Sequence, residues 1–538
     1  MKCYLIPKAK TLSLLLILAM LTGAAFAGDT GTQQTNPGVS KLVVGTTDYM
    51  AGFDLTLDYP VWEYMMMFTH DGLVAYDRNG EILPQLAESW ETTDMKKWIF
   101  HLVDNATWHD GEPFTSEDVK FTMEYTRDKK IAYGASNYKD IVSIETLDDQ
   151  TVVVNLNESN YNFIYKLANA PIMFPKHIFE NADEPKDFKD ANLMLVGTGP
   201  YIFDSFDKAA GLVDFKANED YWGGKPAIKT IEMRFFNNPD TMVMALQKNE
   251  IDTIEAGGIS PSYVPKLLED SNIKIMTFDS LGIKNVLFFN NNKPPFNNKK
   301  LRNAISYAIN YDELLNLMTA GYGYTPDAGV VLESNKDYCE TRDLIYDPNI
   351  TKSELDDLGY KDIDGDGFRE TPEGNKFAPE LLIINNAEYV RSADLLKNYF
   401  EDVGLNLQVM PFDDTTFWKM VNTDRVHDMA LEDLGFWTTT SHKGFYSTTL
   451  DYRGYGKANV TDPDYIGIVD QLGITLNDDE RRELACEIQN YYADELPMIP
   501  LYAMYVVQPY NKKYEGYIAN PLLQTVISHD TFMNLHES

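Results

Sequence analysis

Ala106-Thr107-Trp108-His109-Asp110-Gly111-Glu112-Pro113-Phe114-Thr115-Ser116-Glu117-Asp118-Val119 reads as a strand, a tight turn and the start of a helix. Asp110-Gly111 makes the turn, because glycine reaches a positive φ without a Cβ clash. Thr115 is placed to cap the helix, and Asp118, three residues on, can return a hydrogen bond to the cap. Phe114 and Val119 flank the cap as a hydrophobic staple. The same alternation continues along the chain. Thr151-Val152-Val153-Val154 is a β-branched strand. Leu301, Ala304, Ile305, Ala308 and Ile309 recur at helical spacing, so one face of that helix is expected to be buried. Leu395, Leu396, Tyr399, Phe400 and Val403 do the same before Gly404, a suitable C-terminal residue, and Leu405, Leu407 and Val409 then alternate as in a strand. Helix followed directly by strand, many times over, predicts α/β layers.

The chain has 538 residues, more than one hydrophobic core usually organises, so two or three lobes are expected. Acidic residues number 82 against 46 basic ones, a formal charge of −36. That balance excludes the basic footprint needed for nucleic acid and disfavours adsorption to an anionic membrane. At the N-terminus, Lys2, Lys8 and Lys10 precede the apolar run Leu12 to Leu21, and Ala25-Phe26-Ala27 fits a signal-peptidase site. A cleaved export signal over 1–27 is expected, with an uncleaved anchor as the alternative. Residues 28–41 are small and polar, as in a flexible tether. Removal of the signal takes Cys3 with it and leaves Cys339 and Cys486. Export would let them pair, but their spacing does not decide whether they do.

Several ordered stretches resemble the family 5 extracellular solute-binding proteins of ABC transporters. They are Gly80-Glu81-Ile82-Leu83-Pro84, Leu86-Ala87-Glu88-Ser89-Trp90, Trp98-Ile99-Phe100-His101-Leu102, the Ala106 to Val119 segment, Gly197-Thr198-Gly199-Pro200-Tyr201, and Asn218-Glu219-Asp220-Tyr221-Trp222-Gly223-Gly224-Lys225-Pro226. The resemblance implies an α/β, bilobal fold of the periplasmic-binding-protein type II class, with an extra subdomain on the first lobe. The implied boundaries are 42–281 for the first lobe, about 86–194 for the subdomain, 282–497 for the second lobe and 498–538 for a return to the first. It also implies a periplasmic or cell-surface monomer that captures a peptide and delivers it to ABC permease subunits. Nickel or a metal chelate is the alternative cargo. Read physically, the glycines and prolines of these motifs suit tight turns, and Trp90, Trp108 and Trp222 are expected to fill core rather than touch ligand.

Asp433-Leu434-Gly435-Phe436-Trp437-Thr438-Thr439-Thr440-Ser441-His442 is the expected ligand segment. Peptide-binding members resemble it with a Gly-Trp pair followed by an Asp that anchors the peptide's amino group. Here Thr439 or Thr440 stands in that neighbourhood, and a hydroxyl brings no charge to a buried ammonium. Trp437 remains as an aromatic wall, with His442 beside it. Tyr49 and Phe53, in the loop leaving the first strand, are further ligand candidates, and Asp48 is a candidate replacement anchor. Asp362, Asp364, Asp366 and Glu373 follow calcium-loop spacing and are read as a possible structural Ca²⁺ site or as a solvated turn; Pro372 argues against a following helix. Nothing else calls for a cofactor. A secreted enzyme is the competing class, but neither G-x-S-x-G nor H-E-x-x-H occurs, so no catalytic residue is assigned.

Overall fold

The computed structural model describes residues 38–48, 65–77, 81–131, 135–169, 172–181, 190–255, 257–335, 337–434, 457–475, 477–521 and 524–538. The expected signal, 1–27, and residues 28–37 of the expected tether lie outside these; the tether's last residues, 38–41, instead join the fold, with Gly38 bridged to His536, Val39 bridged to Ile228 and Val39 fully buried. Among the described residues no helix is long and apolar enough to cross a membrane.

One mixed sheet runs through the body. Its strand order is Gln408–Phe412, Glu380–Ile384, Met429–Leu434, Ile273–Phe289, Met498–Asn511, Thr253–Ile254, Leu42–Thr46, Thr230–Phe235, Leu212–Ala217 and Tyr201–Asp207, with Gly323–Tyr324 added against Met498–Asn511. Two long antiparallel strands, Ile273–Phe289 and Met498–Asn511, connect its halves. Alternation along the strands fills both faces of the later half. Leu381, Ile383, Leu287 and Leu431 join one core. Leu382, Phe288 and Ala430 join the other. A sheet covered on both faces needs apolar runs, which these strands supply. Helices Lys299–Ser306, Tyr311–Thr319 and Ala387–Glu401 cover the first face; Pro463–Ile474 and Asp478–Glu495 cover the second. The earlier half has its own cores, one of them closed by Tyr514 to Leu535 of the C-terminal tail.

The local readings hold in burial more than in element bounds: the helix carrying Leu301 ends at Ser306, before Ala308 and Ile309, and the strand read from Leu405 begins only at Gln408. Leu301, Ala304, Ile305, Ala308 and Ile309 are all buried. The backbone N–H of Thr115 donates to Asp118 Oδ2 at 2.9 Å, and Phe114 and Val119 are buried together in the core of a separate four-stranded unit. That unit has strand order Ala87–Thr92, Lys97–Leu102, Thr151–Leu156, Ile141–Asp148. Trp108 is fully buried in it, with Trp90 and Trp222 packed at its margin.

The recurrent motifs meet at one buried carboxylate. Asp71 accepts from Gln85 Nε2 at 2.9 Å, Tyr221 Oη at 3.2 Å, Trp222 Nε1 at 2.8 Å and Thr198 Oγ1 at 3.3 Å. Burial pushes its carboxyl above the ordinary value, while His529 and these donors favour the charged form. The node ties Gly197–Tyr201 and Asn218–Pro226 to the segment after the Met65–Thr69 turn. Cys339 and Cys486 are joined by a disulfide with a Cα–Cα distance of 5.4 Å.

Candidate functional site

Strand direction locates the site. In the earlier half, Leu42–Thr46 is parallel to Thr230–Phe235 and to Thr253–Ile254. Thr253 is paired with Tyr510 of the antiparallel Met498–Asn511 strand. The C-terminal ends of these parallel strands therefore point toward the middle of the long strand. In the later half, Glu380–Ile384 is parallel to Gln408–Phe412 and Met429–Leu434. Leu434 reaches the register of Ile283, which pairs with Ala503. Both sets of C-terminal ends thus approach the same stretch, where α/β sheets place their ligands. Here the register slips between Asp279 and Ile283, because the three residues Ser280 to Gly282 stand opposite Met504 alone. Such a break makes a bend and weakens the ladder locally.

Asp48 lies two residues beyond the end of Leu42–Thr46 on this edge. It is exposed, and its backbone N–H donates to Thr46 Oγ1 at 2.9 Å. Tyr49, Phe53, Trp437, Thr439, Thr440 and His442 lie outside the described residues. The segment carrying the last four starts directly after Leu434, at this same edge.

Around Leu434 the structure gathers polar groups that sequence reading left unassigned. Lys284 Nζ lies 2.6 Å from Asp433 Oδ2, and Asn285 N–H donates to Asp433 Oδ1 at 3.2 Å. Asn285 has φ +55° and forms, with Lys284, the bulge that sets two residues opposite Asp433 between Ile283 and Val286. Its Nδ2 donates to Tyr502 Oη at 2.7 Å, and Tyr502 Oη donates to Glu388 Oε1 at 3.3 Å. Asp433 N–H donates to Tyr389 Oη at 3.1 Å. Burial works against the Lys284 ammonium, but Asp433 and Glu388 outweigh it and hold its pKa above the ordinary value. One residue earlier, burial raises the Glu432 carboxyl to about 7, opposed by Lys457 Nζ at 2.6 Å. Lys457 Nζ also sits 5.1 Å from the Trp418 ring centre. Ion pairs thus fix both flanks of the 435–456 segment. The signal in the sequence was polar residues interrupting apolar strands: Lys284-Asn285 before Val286-Leu287-Phe288-Phe289, and Glu432-Asp433 after Met429-Ala430-Leu431.

The calcium-like loop is rearranged from its expected form. The carboxylates that converge are Asp362, Asp364 and Glu370, within 4.8 Å of one another. Asp366 instead pairs with Lys376 Nζ at 3.0 Å, and Glu373 is exposed. Burial lowers the pKa of His109 and His427 to about 4, holding both neutral at pH 7. Each is engaged by backbone: His109 Nε2 with Gly199 O at 3.0 Å and His427 Nε2 with Lys457 O at 2.9 Å. His70 is likewise buried, with Nδ1 2.8 Å from Thr69 Oγ1.

Two α/β halves, joined by two long strands and turning their loop-bearing strand ends toward one another, define the type II periplasmic-binding-protein fold. The chain belongs to the bacterial extracellular solute-binding proteins, family 5, whose middle-region model matches residues 81–456. A Brucella ovis protein named as an ABC transporter peptide-binding protein is 32% identical over 299 residues, covering 54% of this chain and 55% of that relative. The chain spans about half the length of the first relatives it matches. The dipeptide-binding protein of Escherichia coli K12 is 23% identical over 468 residues, covering 82% of this chain and 84% of its own length. Among solved structures, a periplasmic oligopeptide-binding protein of Thermotoga maritima superposes with a TM-score of 0.81 at 22% identity, covering 93% of this chain and 99% of that one. NikA of Brucella suis, solved with Fe(III)-EDTA, gives a TM-score of 0.80 at 20% identity over 93% and 100%. At these identities the structures establish the fold alone.

Proposed function

We propose that this protein captures a peptide outside the cytoplasm and delivers it to the membrane permease of an ABC importer. The observation that carries the reading is the convergence of both sets of strand ends on the register break, with the Trp437 segment leaving from one of them. Relatives named for peptide binding support the same cargo. In this reading Trp437 forms an aromatic wall, Tyr49 and Phe53 face it from the other half, and Asp48 supplies the charge that Thr439 and Thr440 lack. His442 would contribute to a metal chelate, the alternative cargo. Calorimetry on ligand-stripped protein, with a defined peptide library and with nickel chelates, tests this. Peptide binding is expected, with free dipeptides weak and Trp437→Ala costing on the order of 2 kcal/mol, roughly thirtyfold in affinity. Tight dipeptide binding unchanged in Trp437→Ala would overturn the assignment; binding of chelates alone would favour the other cargo.

We further propose a structural Ca²⁺ at Asp362 and Asp364, with Glu370 as the third carboxylate. Backbone N–H groups of Gly365 and Gly367 donate to Asp362, that of Asp366 to Asp364 and that of Ile363 to Glu370, and hard oxygen donors gathered this way can share a calcium ion. Millimolar calcium is expected to raise the melting temperature of the parent and not of an Asp362→Ala, Asp364→Ala variant. Equal melting curves with calcium and with chelator would leave only the turn.

A further inference from the structure

We propose that Tyr161, Asp478 and Arg481 form a latch that holds the two halves of the protein closed over the site. The proposal rests on the capture reading above, taking the two long strands Ile273–Phe289 and Met498–Asn511 as the hinge about which the halves close, but its contact is separate from the ligand residues.

Tyr161 belongs to the four-stranded unit, where it stacks on Tyr165 with ring centres 5.7 Å apart, and Tyr165 stacks on Tyr76 at 6.3 Å. Tyr76 Oη donates to Tyr165 O at 2.9 Å, which fixes the ladder to its own core. Asp478 and Arg481 open the helix Asp478–Glu495, which packs in the core of the later half. The two groups are 317 residues apart in sequence, yet Tyr161 Oη donates to Asp478 Oδ1 at 2.8 Å. The Arg481 guanidinium lies 3.8 Å from the centre of the Tyr161 ring. Arg481 is 2% exposed, and its Nη1 donates to Leu472 O at 2.7 Å and Thr475 O at 3.0 Å. The carbonyls hold the guanidinium flat, and the Tyr161 ring covers it. A desolvated cation over an aromatic face is worth more than an exposed one, so opening would cost this contact as water reached the ring.

The chain passes from the earlier half to the later along Ile273–Phe289 and returns along Met498–Asn511. A contact between Tyr161 and the start of Asp478–Glu495 is therefore made across the hinge and depends on its angle. Closure would then have a contribution independent of cargo, and a protein that must hold varied solutes gains from a closing contact none of them supplies.

Spin-label distances read the angle directly. Nitroxides at Val142→Cys and Ile474→Cys, both highly exposed positions, report on the two sides in the full chain carrying Cys3→Ser. The disulfide-bonded Cys339 and Cys486 do not react with the label. Without added peptide, the parent is expected to show a short, narrow distance population. Tyr161→Ala should lower the closed-to-open ratio roughly tenfold, and Tyr161→Phe, which keeps the ring over Arg481, should fall between. Asp478→Ala leaves the four-stranded unit untouched and should also lengthen the distance, which separates latch loss from damage to that unit. Unchanged distributions in Tyr161→Ala and Asp478→Ala would overturn the latch. The measurement needs no ligand, so a failure of peptide binding in calorimetry would leave it standing.

Discussion

Gly197→Ala is expected to destabilise the protein by on the order of 4 kcal/mol or more, whereas Gly111→Ala should cost only about 1 kcal/mol. A Cβ at Gly197 would sit on the carbonyl oxygen of Thr69, deep inside van der Waals contact. No rotamer relieves it, because the obstacle is backbone. That backbone is also pinned: Gly197 N–H donates to His109 Nδ1 at 3.2 Å, His109 N–H donates to Gly197 O at 2.9 Å, and Gly199 N–H donates to Thr69 O at 2.9 Å. Gly199 is crowded in the same way, with Phe68 O 2.8 Å and His70 N 2.9 Å from its built Cβ. Moving the Gly197–Gly199 loop aside would pull Thr198 from Asp71 and loosen the buried node. Gly111 has φ +94° with open space around its Cβ position, so alanine there meets only backbone strain. Urea unfolding of the two variants beside the parent checks the contrast. Equal midpoints would show that the Gly197 contact relaxes cheaply and that the motif is needed only as a turn.

What the sequence disclosed was what is local. Thr115, Asp118, Phe114 and Val119 lie within one turn of each other, so their geometry follows from spacing. The buried faces of the helices followed for the same reason. The Asp71 node draws donors from positions 85, 198, 221 and 222, and only the fold brings these together. The motifs around it could be read as turns, which they are, but not as ligands of one carboxylate. The polar cluster at Leu434 likewise takes Lys284 and Asn285, Glu388 and Tyr389, Asp433 and Tyr502 from four elements. In the calcium-like loop, spacing misplaced two members. A helix-flanked loop would return its twelfth residue to the cation, but here the chain continues through bridges pairing Glu370 with Lys361 and with Lys376. Those bridges bring Glu370 inward and give Asp366 a lysine partner instead. Spacing also left the Cys339–Cys486 pair open, because a long separation carries no geometry.

Removing that disulfide, by Cys339→Ser and Cys486→Ser together, is expected to cost about 5 kcal/mol, the upper end of the usual range, because the closed loop is long. The sequence separation is 147 residues, and cross-linking over such a distance strongly restricts the unfolded chain. The native contribution is positional. Cys339 lies between Gly323–Tyr324 and Pro348–Asp357, in a stretch whose described residues form no helix or strand and so no ladder of hydrogen bonds. Its anchor is the helix Asp478–Glu495: Gln489 accepts from Cys339 N–H at 2.8 Å and donates to Asp337 O at 2.7 Å. Gln489 is fully buried, so its amide keeps both bonds only while the stretch stays docked. The same helix begins at Asp478 and Arg481, the residues facing Tyr161. Losing the bridge should lower the melting temperature by on the order of 5 °C in a chain of this length, and dithiothreitol should do the same to the parent. It should leave the Val142–Ile474 label distance of the folded protein unchanged, because Gln489 still seats the stretch. A parent whose midpoint is insensitive to reductant, and equal to that of the double serine variant, would show that the unfolded chain gains little freedom from losing the link.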